Sequence, residues 1–193
     1  METLVKKTRK QQIEEKATKL FREKGYAATS MRDLAQVLGI EAASLYSHIK
    51  SKEEILQKIC FRMAKEFFEA WKSVETEQGS FAAKMKKAAI AHVKVITKNT
   101  DASAVFFHEW RHLSEPHLSD FLAMREDYEG RFKTILRNGM ANGEFEQVDE
   151  KFMMLTILSS LNWTHNWYKP TGSLTPEQVG EQLANLILNG LKK

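Results

Sequence analysis

Ile13, Ala17, Leu20 and Phe21 recur every three or four positions with Lys, Arg, Glu and Gln between them. That is the spacing of one apolar helix face and predicts a first helix over about residues 8–24. Gly25 ends it, and Lys24 places positive charge at the negative end of the helix dipole. Ser30 with Asp33 three positions later marks the start of a second helix over about residues 31–38. Gly39 breaks the pattern, and a short third helix follows over about residues 41–48. The run Ser51-Lys-Glu-Glu54 reads as a capping box, with Glu54 reaching back to the serine, and it opens a long helix to about residue 74. After the break at Gln78-Gly79-Ser80, helical periodicity resumes over about residues 81–98, 102–113, 117–141, 150–168 and 176–191. With three prolines and nine glycines in 193 residues, little punctuation remains for hairpins, and the fold class is all-α. The expected division is residues 1–50, a three-helix domain with a helix-turn-helix, and residues 51–193, about six helices.

Within the two short helices the residue types fit one geometry. Counting Met31 as the first position, Ala35 is fifth, Gly39 ninth and Leu45 fifteenth. A small fifth residue lets two helices cross closely, the glycine permits a tight turn, and the apolar fifteenth residue seats the second helix on a core with Leu34, Leu38 and Ile40. Ala42, Ala43, Ser44, Tyr46, Ser47 and His48 then face outward, side chains suited to thymine methyls, base edges and phosphates in a major groove. Lys50 and Lys52, which flank that helix, are expected at phosphates, and Ser30 and Arg32 at the start of the preceding helix are further expected DNA contacts. Free N–H groups at the start of the next helix add an anion site.

Charge supports this placement. Residues 1–58 carry 12 Lys and Arg against 8 Asp and Glu, whereas the other 135 residues carry 17 of each. All of the +4 formal charge therefore lies in the first third, where Lys6, Lys7, Arg9 and Lys10 form a further basic cluster. One cysteine, Cys60, rules out an internal disulfide framework, and no charged start leads into an apolar run, so a cytoplasmic address is expected. The longest apolar stretches are too short to cross a bilayer.

The segment Thr29-Ser-Met-Arg-Asp-Leu-Ala-Gln-Val-Leu-Gly-Ile-Glu-Ala-Ala-Ser-Leu-Tyr-Ser-His-Ile-Lys-Ser-Lys-Glu-Glu-Ile-Leu56, with Phe21 and Gly25-Tyr26 before it, resembles the signature of TetR-family regulators. Ile49 stands where that family more often has phenylalanine. The resemblance implies an all-helical homodimer that binds a double-stranded DNA operator and answers to a small molecule. It also implies that Ser44, Tyr46 and His48 lie on the recognition helix and that Lys52 meets a phosphate. The tail, Asn162-Trp-Thr-His-Asn-Trp-Tyr168 through Leu174-Thr-Pro176-Glu, resembles a subgroup whose members often answer to acyl-CoA thioesters.

Aromatic side chains crowd the larger domain, and an apolar pocket between helices is the expected effector site. Phe67, Trp71, Phe107, Trp110, Tyr128, Trp163 and Trp167 are its candidate walls, with Arg111, Asn162 and also Arg125 as polar groups. Gly180 and Ala184, one turn apart, are expected to let a symmetry mate approach in a dimer built from the last two helices. No cofactor or metal is expected. Two other readings compete. His108-Glu-Trp-Arg-His112 fits the zinc-hydrolase pattern in which two histidines share a helix face, and a regulator of multidrug efflux would answer to lipophilic compounds.

Overall fold

The structure is a computed structural model that describes residues 8–191, so Lys6 and Lys7 of the basic cluster lie outside the described residues. Among these residues there is no strand. The helices are α1 (Arg9–Lys24), α2 (Met31–Leu38), α3 (Ala42–Tyr46), α4 (Lys52–Glu75), α5 (Phe81–Lys98), α6 (Thr100–His108), α7 (His117–Ala141), α8 (Glu150–Asn162), α9 (Thr164–Trp167) and α10 (Pro176–Leu191), with a 3-10 turn at Trp110–His112. No described helix is long and apolar enough to cross a membrane.

The caps explain the boundaries. Thr8 and Gln11 form a capping box at α1, and Ser30 and Asp33 form another at α2. At α4 the Ser51 hydroxyl accepts from the Glu54 N–H at 3.1 Å, but the Glu54 carboxylate accepts from Lys50 N–H, one residue earlier than the expected box. Two predicted helices are interrupted. The span 102–113 becomes α6 and the 3-10 turn, with Glu109 between them. The span 150–168 breaks at Trp163 into α8 and the four-residue α9.

Packing divides the chain into two units, one comprising the residues up to Arg62 with 101–119, the other 63–100 with 120–191. The segment between α5 and α7 thus packs with the N-terminal residues, a grouping that differs from a cut at residue 50. In the first unit α2 packs on both α1 and α3, and Ile13, Phe21, Leu34, Leu45, Ile55 and Ile59 are fully buried. In the second, α10 lies along α5, and α8 and α9 also pack on α5. Gly180 is what lets α10 come close, since a Cβ there would sit 2.7 Å from Ile90 Cα. Gly180 and Ala184 are both buried. Their small size therefore serves packing between α10 and α5 within the chain, not the approach of a second copy.

Candidate nucleic-acid interface and the polar core of the larger unit

Gly39 takes the left-handed conformation (φ 64°) that closes the turn, and the Ile40 N–H returns to Ala35 O at 3.0 Å. The chain then enters α3 with Leu45 wholly buried and Ile49 beneath it. Burial of that one leucine fixes the rotation of α3. Ala43, Ser44, Tyr46 and Ser47 are consequently exposed, Ala42 and His48 half-buried, and Tyr46 keeps 54 % of its surface. The Ser47 hydroxyl donates to Ser44 O at 2.7 Å, closing the end of the helix.

Beside α3 lies an open groove with the stretch Ala27–Arg32 on one side and Tyr46, Lys50, Ser51 and Lys52 on the other. Arg32 and Lys50 are exposed there. The Ser30 hydroxyl accepts from Asp33 N–H at 3.1 Å, and the hydrogen bonds from Ser30 hold the Asp33 carboxyl below the usual carboxylate range. Lys52 is differently employed from a bare phosphate contact. Its ammonium donates to Tyr26 O at 2.9 Å, Thr29 O at 2.9 Å and Ala27 O at 3.4 Å, and it lies 4.3 Å from the centre of the Tyr26 ring. All three of its donors serve the loop that leads into α2. Burial, with Glu53 nearby, pushes the Tyr26 phenol up to about 12.

The candidate effector residues separate. Phe67, Trp71, Tyr128 and Asn162 come together in the second unit around His92, for which the sequence suggests no role. The His92 ring is buried. Nδ1 is 3.0 Å from Tyr128 Oη and Nε2 is 2.8 Å from Asn162 Oδ1. Asn162 Oδ1 can only accept, so Nε2 carries the proton, and Tyr128 must then donate to Nδ1. The triad is neutral and self-satisfied. Burial pushes His92 down to about 4, against a hydrogen bond to Asn162 that pulls the other way, and burial raises the Tyr128 phenol. Phe67 stacks on His92 at 4.6 Å, and Trp71 and Phe132 close the wall at 5.0 Å from each other. One sequence signal existed: along α5, Met85, Ala88, Ala89, Val93 and Ile96 form the buried face, and His92 interrupts it.

Phe107, Trp110 and Arg111 belong to the first unit, where Phe107 meets Phe106 edge-on at 5.0 Å and the Arg111 guanidinium lies 4.5 Å from the Trp110 ring. Trp163 and Trp167 are 62 % and 43 % exposed. Arg125 is exposed and pairs with Glu129 at 2.8 Å. The zinc pattern loses its helix: α6 stops at His108, and His112 sits on the 3-10 turn, stacked on Tyr26 and 3.4 Å from Glu109. Two histidines on either side of a helix end do not share the face that the chemistry requires. The Cys60 thiol is buried, and burial together with Glu109 pushes it up to about 12, far from a reactive thiolate.

A helix-turn-helix with an exposed second helix, set beside a cationic groove and attached to a second helical unit, defines a DNA-binding transcriptional regulator. The profile for bacterial regulatory proteins of the tetR family matches residues 13–59, and that for the tetracyclin repressor-like C-terminal domain matches residues 78–191. The chain belongs to the TetR family. Among its relatives, the HTH-type transcriptional repressor KstR2 of Mycolicibacterium smegmatis is 27 % identical over 186 residues, covering 95 % of this chain and 91 % of that protein. The crystal structure of the TetR-family regulator PfmR from Thermus thermophilus has a TM-score of 0.80 at 35 % identity, covering 94 % of this chain and 99 % of that one. AibR, crystallised with isovaleryl coenzyme A and operator DNA, shares the fold with a TM-score of 0.79 at 23 % identity, covering 93 % and 97 %.

Proposed function

We propose that this protein is a homodimeric repressor that binds a roughly palindromic operator in the cytoplasm and is released by an apolar effector carrying a neutral acyl group. The observation that carries the reading is the rotation of α3, with Leu45 buried and Tyr46 exposed. Ala42, Ala43, Ser44, Tyr46, Ser47 and His48 read bases, whereas Ser30, Arg32 and Lys50 meet phosphates. Lys52 contributes charge beside the groove and holds the loop into α2. KstR2 is described as a repressor, which favours that output over activation.

A second copy is the occupant assigned to the exposed stripe of α8. Phe152, Leu155, Thr156, Ser159, Ser160 and Trp163 lie on one face, and Phe152 is 66 % exposed. The hydroxyls of Thr156 and Ser160 donate to Phe152 O and Thr156 O of their own helix, each at 2.9 Å. The face therefore offers small, internally satisfied groups between large apolar ones, as a self-complementary contact requires. Leu186 of α10, 71 % exposed, extends the apolar surface available to that partner.

For the effector, the walls are Phe67, Trp71 and Tyr128, and the polar groups are Asn162 and His92. With the His92 ring and the Tyr128 hydroxyl already bonded within the triad, the Asn162 amide NH2 is the donor that suits a carbonyl oxygen, and nothing in the triad would offset the charge of a carboxylate. The bound isovaleryl coenzyme A of AibR, a thioester, has such a carbonyl.

Selecting duplexes from a randomised pool with the wild-type protein supplies the operator. Tyr46→Ala should then weaken that duplex by ~1–3 kcal/mol while the dimer persists, and an unchanged affinity would sink the assignment. Thermal-shift measurements with isovaleryl coenzyme A, the free acid and lipophilic cations resolve the effector. Stabilisation by the thioester alone supports the reading, and a response only to cations would indicate an efflux regulator.

A further inference from the structure

Tyr26 lies in the loop between α1 and α2, behind the groove, and its ring is held by three neighbours. Phe21 meets it edge-on at 5.1 Å, His112 stacks on it at 5.0 Å with the planes 28° apart, and the Lys52 ammonium lies 4.3 Å from its centre. Lys52 also ties the Tyr26 and Thr29 carbonyls together, each at 2.9 Å. The next residue is Ser30, the cap of α2. The position of the α2 start thus depends on where the Tyr26 ring and the Lys52 ammonium come to rest.

His112 comes from a distant part of the sequence. It ends the 3-10 turn, its Nε2 is 3.4 Å from the Glu109 carboxylate, and two residues later Ser114 N–H donates to Glu53 Oε1 at 2.9 Å. The segment 109–114 therefore holds Tyr26 through His112 and the first turn of α4 through Glu53, the residue next to Lys52. The imidazole needs to touch no nucleic acid to act there: its flat face sets the plane of the Tyr26 ring, and that ring is the surface on which Lys52 rests.

We propose that His112 is a positioning residue for DNA binding, which by stacking on Tyr26 holds Lys52 and the loop into α2 in the arrangement that presents Ser30, Arg32 and Tyr46. This rests on the DNA-binding reading above and adds to it a residue far along the chain from the helix-turn-helix.

The test uses the duplex that the wild-type protein selects from the randomised pool. Affinities of wild type, His112→Ala and His112→Phe are measured over a range of salt concentrations, with urea midpoints for each. His112→Ala should weaken binding roughly fivefold, the contribution of a stacked aromatic pair, and His112→Phe, which keeps a flat ring, should stay within about twofold of wild type. The His112→Phe salt slope should equal that of wild type, because the ring that positions Ser30 and Arg32 is kept and no group meeting phosphate is removed. Wild-type affinity in His112→Ala, or an equal loss in His112→Phe, overturns the proposal. A shallower salt slope in both variants also overturns it, since His112 would then be meeting phosphate itself. If His112→Ala does not fold, His112→Leu against His112→Phe carries the same comparison, volume without a ring against volume with one. If the wild-type protein selects no duplex, the DNA-binding reading falls and takes the positioning role with it.

Discussion

The two units arrange polarity in opposite ways. In the first, apolar residues are inside and chemistry is outside: Leu34, Leu45 and Ile49 are buried, and Arg32, Ser44, Tyr46 and Lys50 face solvent. In the second, the rule inverts at two places. A histidine, a tyrosine and an asparagine bond one another inside, and Phe152, Leu155 and Trp163 stand outside. An outward polar surface needs only a polar partner that arrives and leaves. An exposed apolar stripe is costly in isolation and marks a place where something else completes the structure, whereas the buried cluster offsets its own desolvation by the hydrogen bonds within the triad. Under the function proposed above, a second copy covers the stripe and the effector enters beside the cluster.

The largest expected effect follows from breaking the outer inversion. Trp163→Glu places a carboxylate of each copy in the apolar stripe that the proposed dimer buries. The dimer should weaken by about 4 kcal/mol, roughly a thousandfold in dissociation constant. Sedimentation equilibrium reads this directly. A variant as dimeric as wild type would mean that the exposed face of α8 belongs to some other partner.

The inner inversion is tested by pH. His92 is held near 4 in the folded protein, below its ordinary 6.5, so the unfolded chain binds more protons between those values. Its contribution is fully present above pH 6.5 and is lost progressively as the pH falls towards 4, by ~3 kcal/mol over the whole window. Carboxylates such as Asp33, Glu53, Glu54 and Glu77, all held low, add their own losses only further into the acid range. Urea unfolding between pH 6.5 and 5 therefore lies above most of the carboxylate losses, and the difference between wild type and His92→Gln, whose curve should be flatter there, gives the share of His92 apart from the other five histidines. An equal slope in both proteins would remove His92 as the titrating group.

The units also differ in how much of them the sequence disclosed, for a related reason. Ser30, Gly39 and Leu45 act on residues within a few positions, so caps, turn and rotation of α3 could be read from spacing alone. The His92 partners lie 36 and 70 positions away, and no local pattern links them. Trp163 and Trp167 look like neighbours on one continuous helix in the sequence because the break after Asn162 has no glycine or proline to announce it. Lys52 looks like a free cation there because its acceptors are backbone carbonyls of residues 26, 27 and 29, and any sequence supplies carbonyls. His108 and His112 have metal-ligand spacing on the premise of one continuous helix, and the helix ends between them.

The smallest effect sharpens the outward side of the comparison. Lys50 is exposed at the mouth of the groove, and its backbone N–H, not its ammonium, is what Glu54 holds. Lys50→Ala should therefore leave the urea midpoint unchanged within about 0.5 kcal/mol, the usual range for a surface substitution. Binding should weaken by a similar factor on selected and random duplexes, and the slope of log affinity against log salt should become shallower by ~1. A loss confined to the selected duplex would make Lys50 a base reader. A loss of stability would mean that its ammonium, like that of Lys52, is already committed within the protein, and the rule of chemistry on the outside would then fail at the edge of its own groove.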